Sequence, residues 1–124
     1  MELVATAHRV RQFKADFFKA LGHPTRLGIL EHLRAGELTV SELQAQLAIE
    51  ATSVSQQLAV LRSRQIVEAR KEGTSVYYRV RDPQVFAILD LGREIFANHL
   101  SDLQAMADED ERAAPPADAE GVTV

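Results

Sequence analysis

The feature that most limits how this chain can fold is a pair of short amphipathic segments, a few residues apart, between Thr39 and Arg64. The first opens with Thr39-Val40-Ser41-Glu42. There the Thr39 hydroxyl can accept from the Glu42 amide while the Glu42 carboxylate reaches back to the Thr39 amide, a reciprocal cap that marks a helix start. Leu38 and Leu43 occupy the positions of a hydrophobic staple around that cap, and Leu43 and Leu47 are expected to face the core. The pattern lapses at Ala48-Ile49-Glu50 and resumes from roughly Ala51 to Arg64, where Val54, Leu58 and Leu61 recur at helical spacing. Two short helices joined by a tight turn predict a helix-turn-helix.

The flanking segments are compatible with such a unit. From about Leu3 to Leu21, the residues Val10, Phe13, Phe17 and Leu21 mark an amphipathic helix, which Gly22 ends. His23-Pro24 then reads as the cap and first position of a second helix, because proline's fixed φ suits a first turn that needs no N–H from it. Leu27, Leu30 and Leu33 are its expected buried stripe, and Ala35-Gly36 closes it. After the helix pair comes IVEARKEGTSVYYRV, in which Val67, Ala69, Val76, Tyr78 and Val80 alternate with polar neighbours around a turn at Lys71-Glu72-Gly73-Thr74. That is a β-hairpin pattern. Asp82-Pro83 opens a last long helix to about Met106, bearing Val85, Ile88, Leu89, Ile95, Phe96, Leu100 and Leu103. From Asp108 the chain is acidic, proline-bearing and poor in large apolar groups. This predicts a folded domain over residues 1–107 and a disordered acidic tail over 108–124.

Composition narrows the function. The 124 residues, 46% of them apolar, suffice for one domain with a core of its own. No run of about 18 apolar residues suggests a membrane span, and the N-terminus lacks a secretory pattern, so a cytoplasmic protein is expected. The chain contains no cysteine, which excludes disulfides, thiol redox switches, thiolate metal sites and cysteine nucleophiles. None of the four histidines has the neighbours of a catalytic base, and there is no glycine-rich phosphate loop. An enzyme is not expected. The net charge of −4 hides a division along the chain: twelve Lys/Arg stand against nine Asp/Glu up to Asp82, and two against nine from Pro83 onward. Residues 52–81 are locally basic, with Arg62, Arg64, Arg70, Lys71, Arg79 and Arg81 opposed only by Glu68 and Glu72.

On a helical wheel, Val54, Leu58 and Leu61 define the buried direction of the second helix of the pair. Thr52, Gln56, Val60 and Ser63 lie opposite, flanked by Ser53, Ser55 and Gln57. Amides and small hydroxyls are ordinary surface residues, but they are also the groups that hydrogen-bond base edges in the major groove of DNA. A basic hairpin directly after them supplies cations for phosphates.

The order of a leading helix, HPTRLGIL, ELTVSEL, TSVSQQLAVLR and IVEARKEGTSVYYRV resembles the ArsR-type winged helix-turn-helix transcriptional regulators, over roughly Phe17 to Leu103. The resemblance implies a mainly α fold with a small β-hairpin, in the order α1-α2-α3-α4-β-β-α5, acting as a homodimer on double-stranded DNA. By match to the family pattern, Thr52, Ser55 and Gln56 fall at base-reading positions, with Ser53 and Gln57 beside them. Arg70 and Lys71 fall in the wing; apart from the resemblance, Arg62 and Arg79 of the basic segment are expected to hold phosphate as well. A pseudo-palindromic operator and a repressor's role follow. The family often has a glycine where this chain has Gln65, which costs about 1 kcal/mol if that position needs positive φ. It also often has a serine cap where this chain has Glu50.

Dimerisation is implied through the first and last helices, with Phe13, Phe17, Leu89, Ile95, Phe96, Leu100 and Leu103 in the interface. A monomer would leave a large apolar patch there; packing of the two helices within one subunit is the alternative. The family's Cys-x-Cys metal site corresponds to Thr39 and Ser41, hydroxyls that ligate soft metals poorly. Its last-helix site corresponds to Asp90, Glu94, His99 and Asp102, which lack the second histidine. No metal or cofactor is expected, and a small-molecule or metal effector is left unassigned. Two other readings stand beside this one: a metal-responsive derepressor using His99 and Asp102, and a winged-helix module for protein interaction.

Overall fold

A computed structural model describes residues 1–113 of the chain. Its elements are α1 (Glu2–Leu21), α2 (Pro24–Leu33), α3 (Val40–Leu47), α4 (Ala51–Ser63), β1 (Val67–Glu72), β2 (Ser75–Val80) and α5 (Gln84–Ala113). This is the winged helix-turn-helix order expected from the sequence. Backbone packing divides the chain into two units, Met1–Phe86 and Ala87–Val124.

Local chemistry sets the helix boundaries in the first unit. The His23 ring nitrogen Nδ1 accepts from the Thr25 amide at 3.1 Å, capping α2 with Pro24 at its first position. The Thr39/Glu42 capping box is present in both directions, at 3.2 and 3.1 Å. Ala48 ends α3 in the left-handed region at φ 56°. At the end of α4, the Ile66 amide bonds back to the Leu61 carbonyl at 2.9 Å and the Gln65 amide to Arg62 at 3.0 Å. These paired bonds form a Schellman motif, and the motif puts Gln65 at φ 58°. The position therefore does require the conformation that glycine adopts freely.

The core gathers Ile29, Leu30 and Leu33 from α2, Leu43 from α3, Val54, Leu58 and Leu61 from α4, then Ile66, Val67 and Val85. Each such side chain contributes roughly 1.5 to 3 kcal/mol by leaving water. Ile29 belongs to the α2 stripe and was not expected there, while Leu27 is only half-buried. The reason is close packing of α2 on α3: a β-carbon on Gly28 would lie 2.9 Å from Leu47 Cδ2. With a glycine at that contact the helices approach along the Ile29–Leu33 side.

β1 and β2 pair antiparallel in the register Val67↔Val80 through Glu72↔Ser75. A two-residue turn joins them, with Gly73 at φ 60° supplying the positive φ that such turns need at their first position. Leu38 adds a single-residue third strand, exchanging backbone bonds with Tyr78 at 3.1 and 2.9 Å. The hairpin base is thus stitched to the loop before α3. Val76, near the tip, is exposed rather than inward.

In the first turn of α5 the Asp82 carboxylate accepts from the Gln84 amide at 2.9 Å. The Arg34 guanidinium lies 5.0 Å over the Phe86 ring. α5 continues to Ala113, past the expected end at Met106, so residues 108–113 of the expected tail are helical. Gln104 donates to Asp108 one turn on, at 2.9 Å, and supports that extension. The rest of the predicted tail lies outside the described residues. No described helix is long and apolar enough to cross a membrane.

Candidate nucleic-acid interface

α4 is anchored by its aliphatic side. Val54, Leu58 and Leu61 are buried, while Thr52, Ser55, Gln56, Val60 and Ser63 are exposed. The exposed side therefore presents two hydroxyls, a carboxamide and a valine methyl pair, with the Ser63 hydroxyl turned back to donate to the Val60 carbonyl at 2.6 Å. The helix begins at Ala51, with Glu50 at its cap position making no side-chain bond. Between α4 and β2 runs a shallow groove of about 350 Å³ lined by Ser55, Leu58, Ala59, Arg62, Ser63 and Tyr78.

Two flanking residues differ from the exposed set. Ser53 is half-buried. Gln57 is half-buried as well, and its Oε1 accepts from Arg26 Nη1 at 2.8 Å. Sequence inspection missed that bond because its partners lie 31 residues apart and on different helices.

Most of the cations of the basic segment, including two of the four expected to face phosphate, are already occupied. Arg70 makes a two-pronged pair with Glu37, Nε to Oε2 at 3.1 Å and Nη2 to Oε1 at 2.8 Å. Its Nη1 donates to Glu72 at 2.8 Å, and the guanidinium lies 5.0 Å over the Tyr77 ring. The hydrogen bonds that Arg70 donates to Glu37 and Glu72 raise its pKa further, and the bond from Arg70 holds the exposed Glu37 carboxyl below its ordinary value. Arg79 is paired with Glu68 at 2.6 Å, and Arg64 reaches Asp16 of α1 at 3.6 Å. Arg81 donates to the Gln65 side chain. Among the described residues, Arg62, Lys71 and Arg81 are the exposed cations of this segment that hold no ion pair, and of the three only Arg81 has a side-chain hydrogen bond.

The residues expected in a dimer interface differ in exposure. Phe13 of α1 is 68% exposed, and Ile95 and Phe96 of α5 are 69% and 62% exposed. Leu100 and Leu103 are also exposed, while Phe17 and Leu89 are half-buried. Of the last-helix carboxylates and histidine, Asp90 is half-buried and Glu94, His99 and Asp102 are exposed along α5.

Comparison with known proteins fits this geometry. A helix-turn-helix domain family model matches residues 21–70, from the end of α1 to the middle of β1. The chain is 39% identical over 99 residues to the HTH-type transcriptional regulator Rv0081 of Mycobacterium tuberculosis, covering 79% of this chain and 87% of that one. The crystal structure of Rv0081 superposes with a TM-score of 0.69 at 38% identity, over 75% of this chain and 94% of the other. The biofilm growth-associated repressor of Agrobacterium fabrum is 38% identical over 66% of this chain and 70% of its own length. The solution structure of the homodimeric winged helix-turn-helix DNA-binding domain of Mb0332 from Mycobacterium bovis, a possible ArsR-family regulator, superposes with a TM-score of 0.69. That match has 33% identity and covers 76% of this chain and 87% of that domain.

Proposed function

The chain belongs to the ArsR-type winged helix-turn-helix transcriptional regulators, and from that premise we propose that it represses transcription as a homodimer on a pseudo-palindromic operator. The observation that carries the reading is the division of α4, with an aliphatic side locked in the core and hydroxyls and an amide facing outward. In this reading Thr52, Ser55 and Gln56 meet base edges in the major groove, and Val60 meets a thymine methyl. Arg62, beside the α4–β2 groove, and Lys71, near the wing tip, hold backbone phosphates. Arg70 and Arg79 take a smaller part than their charge suggests, because a phosphate must displace the carboxylates they hold. Ser53 and Gln57 are left to the side of the reading face.

The exposed apolar residues of α1 and α5 support pairing with a second copy. Two-fold pairing also sets two α4 helices one DNA turn apart, as helix-turn-helix dimers require. The protein acts where DNA is, in the cytoplasm. With no cysteine in these 124 residues, thiolate metal sensing is not open to it, and no effector is assigned.

The test is selection of bound duplexes from a random pool. A two-fold symmetric motif is the expected result, with half-sites spaced by about one helical turn. A pool that enriches nothing, or binding that vanishes equally for all sequences as salt rises, rejects the proposal in favour of a module for other partners.

A further inference from the structure

Arg26 is the one described side chain that ties α1, α2 and α4 together by hydrogen bonds. It stands in the first turn of α2, half-buried. Its Nε donates to the Ala20 carbonyl at 2.5 Å and its Nη2 to the Lys19 carbonyl at 3.3 Å, both in the last turn of α1, where the Lys19 carbonyl also accepts from the Gly22 amide at 3.1 Å. A cation there also complements the negative end of the α1 dipole. The remaining arm, Nη1, donates to Gln57 Oε1 of α4 at 2.8 Å. Close by, Asp16 of α1 faces Arg64, the residue just past α4, at 3.6 Å, and a cleft of about 170 Å³ between these groups is lined by Asp16, Lys19, Ala20, Arg26, Val60 and Arg64.

We propose that Arg26 is a positioning residue for sequence reading, setting the rotation of α4 against the C-terminal end of α1 through Gln57. This rests on the DNA-reading role proposed for α4. The planar guanidinium fixes the directions of its donors, so the two α1 carbonyls on one side determine where the Gln57 oxygen must lie on the other. Gln57 follows Gln56 directly, and its side chain is held on the flank of the helix while Gln56 stays on the exposed face. The core residues Val54, Leu58 and Leu61 fix the depth of α4. Apolar attraction is non-directional, and a directional bond at one edge adds an orientational constraint to it. α1 is also the helix on which the dimer reading depends, so the same side chain links the subunit contact to the angle at which bases are met.

The experiment measures affinity for a pool-selected operator and for a scrambled duplex of equal length, well below the melting temperature. Arg26→Lys keeps the charge and removes the fork. We expect it to lower the ratio of specific to non-specific affinity by about fivefold to tenfold, with the salt dependence unchanged. Gln57→Met removes the same bond from the other end and leaves the α1 carbonyls capped, which keeps the test alive if Arg26→Lys folds poorly. It should weaken discrimination evenly across the half-site, and the double variant should lose no more than the larger single loss. Relaxation at one base position only would make Gln57 a direct reader and overturn the proposal. An unchanged ratio with a lowered Tm would reduce Arg26 to a purely structural role and overturn it too. If the parent protein itself does not discriminate between the duplexes, the DNA-reading role fails first and this inference falls with it.

Discussion

Ala48 and Gln65 sit at φ 56° and 58°, each just past the end of a helix that brackets the reading unit. A β-carbon in that region costs roughly 1 to 2 kcal/mol, and glycine relieves it. Ala48→Gly should therefore raise unfolding free energy by about 1 kcal/mol in chemical denaturation, since the exposed Ala48 methyl gives up nothing comparable. Gln65→Gly should gain less, because Gln65 also accepts a hydrogen bond from Arg81. At the reading face, Gln56→Ala should cost roughly 1 to 3 kcal/mol on the operator and relax preference at one base position. Equal weakening on every sequence would show that Gln56 contacts backbone instead.

The helices, their caps and the hairpin were legible because each is specified within a few residues. The Thr39/Glu42 box, the Pro24 start, the Val54-Leu58-Leu61 stripe and the Gly73 turn all carry their cause beside them. The cross-links between elements were not legible. Arg26 meets Gln57 31 residues away, and Arg70 meets Glu37 33 residues away. Nothing in either neighbourhood announces such a partner, and a charge count treats an occupied guanidinium and a free one alike. The distinction has a measurable consequence at the wing. Arg62→Ala should reduce the slope of log affinity against log salt by about one per subunit. Arg70→Ala should change that slope much less and instead loosen the hairpin against the α2–α3 loop, seen as faster amide exchange at Leu38 and Tyr78. Equal slope changes for the two variants would mean that Glu37 and Glu72 yield to DNA.

In the proposed assembly the molecule is two chains, and the exposed aromatic and aliphatic side chains of α1 and α5 are where the second meets the first. Phe96, 62% exposed, is the natural probe. Phe96→Glu should shift sedimentation from dimer to monomer at micromolar concentration without unfolding either unit, and should weaken operator binding by about 100-fold or more as the second half-site is lost. A variant that still sediments as a dimer would remove this face of α5 from the interface. The hairpin offers a separate lesson about tolerance. Its base is sewn to Leu38 through two backbone bonds, whereas at its tip a β-carbon on Gly73 would meet nothing within 4 Å. The arm is thus held at its base, while its tip stands clear of the rest of the described chain. In the proposed complex, a change of side chain at that tip alters the grip on backbone phosphate without disturbing the helix beside it, so the arm's reach can vary while the reading face does not.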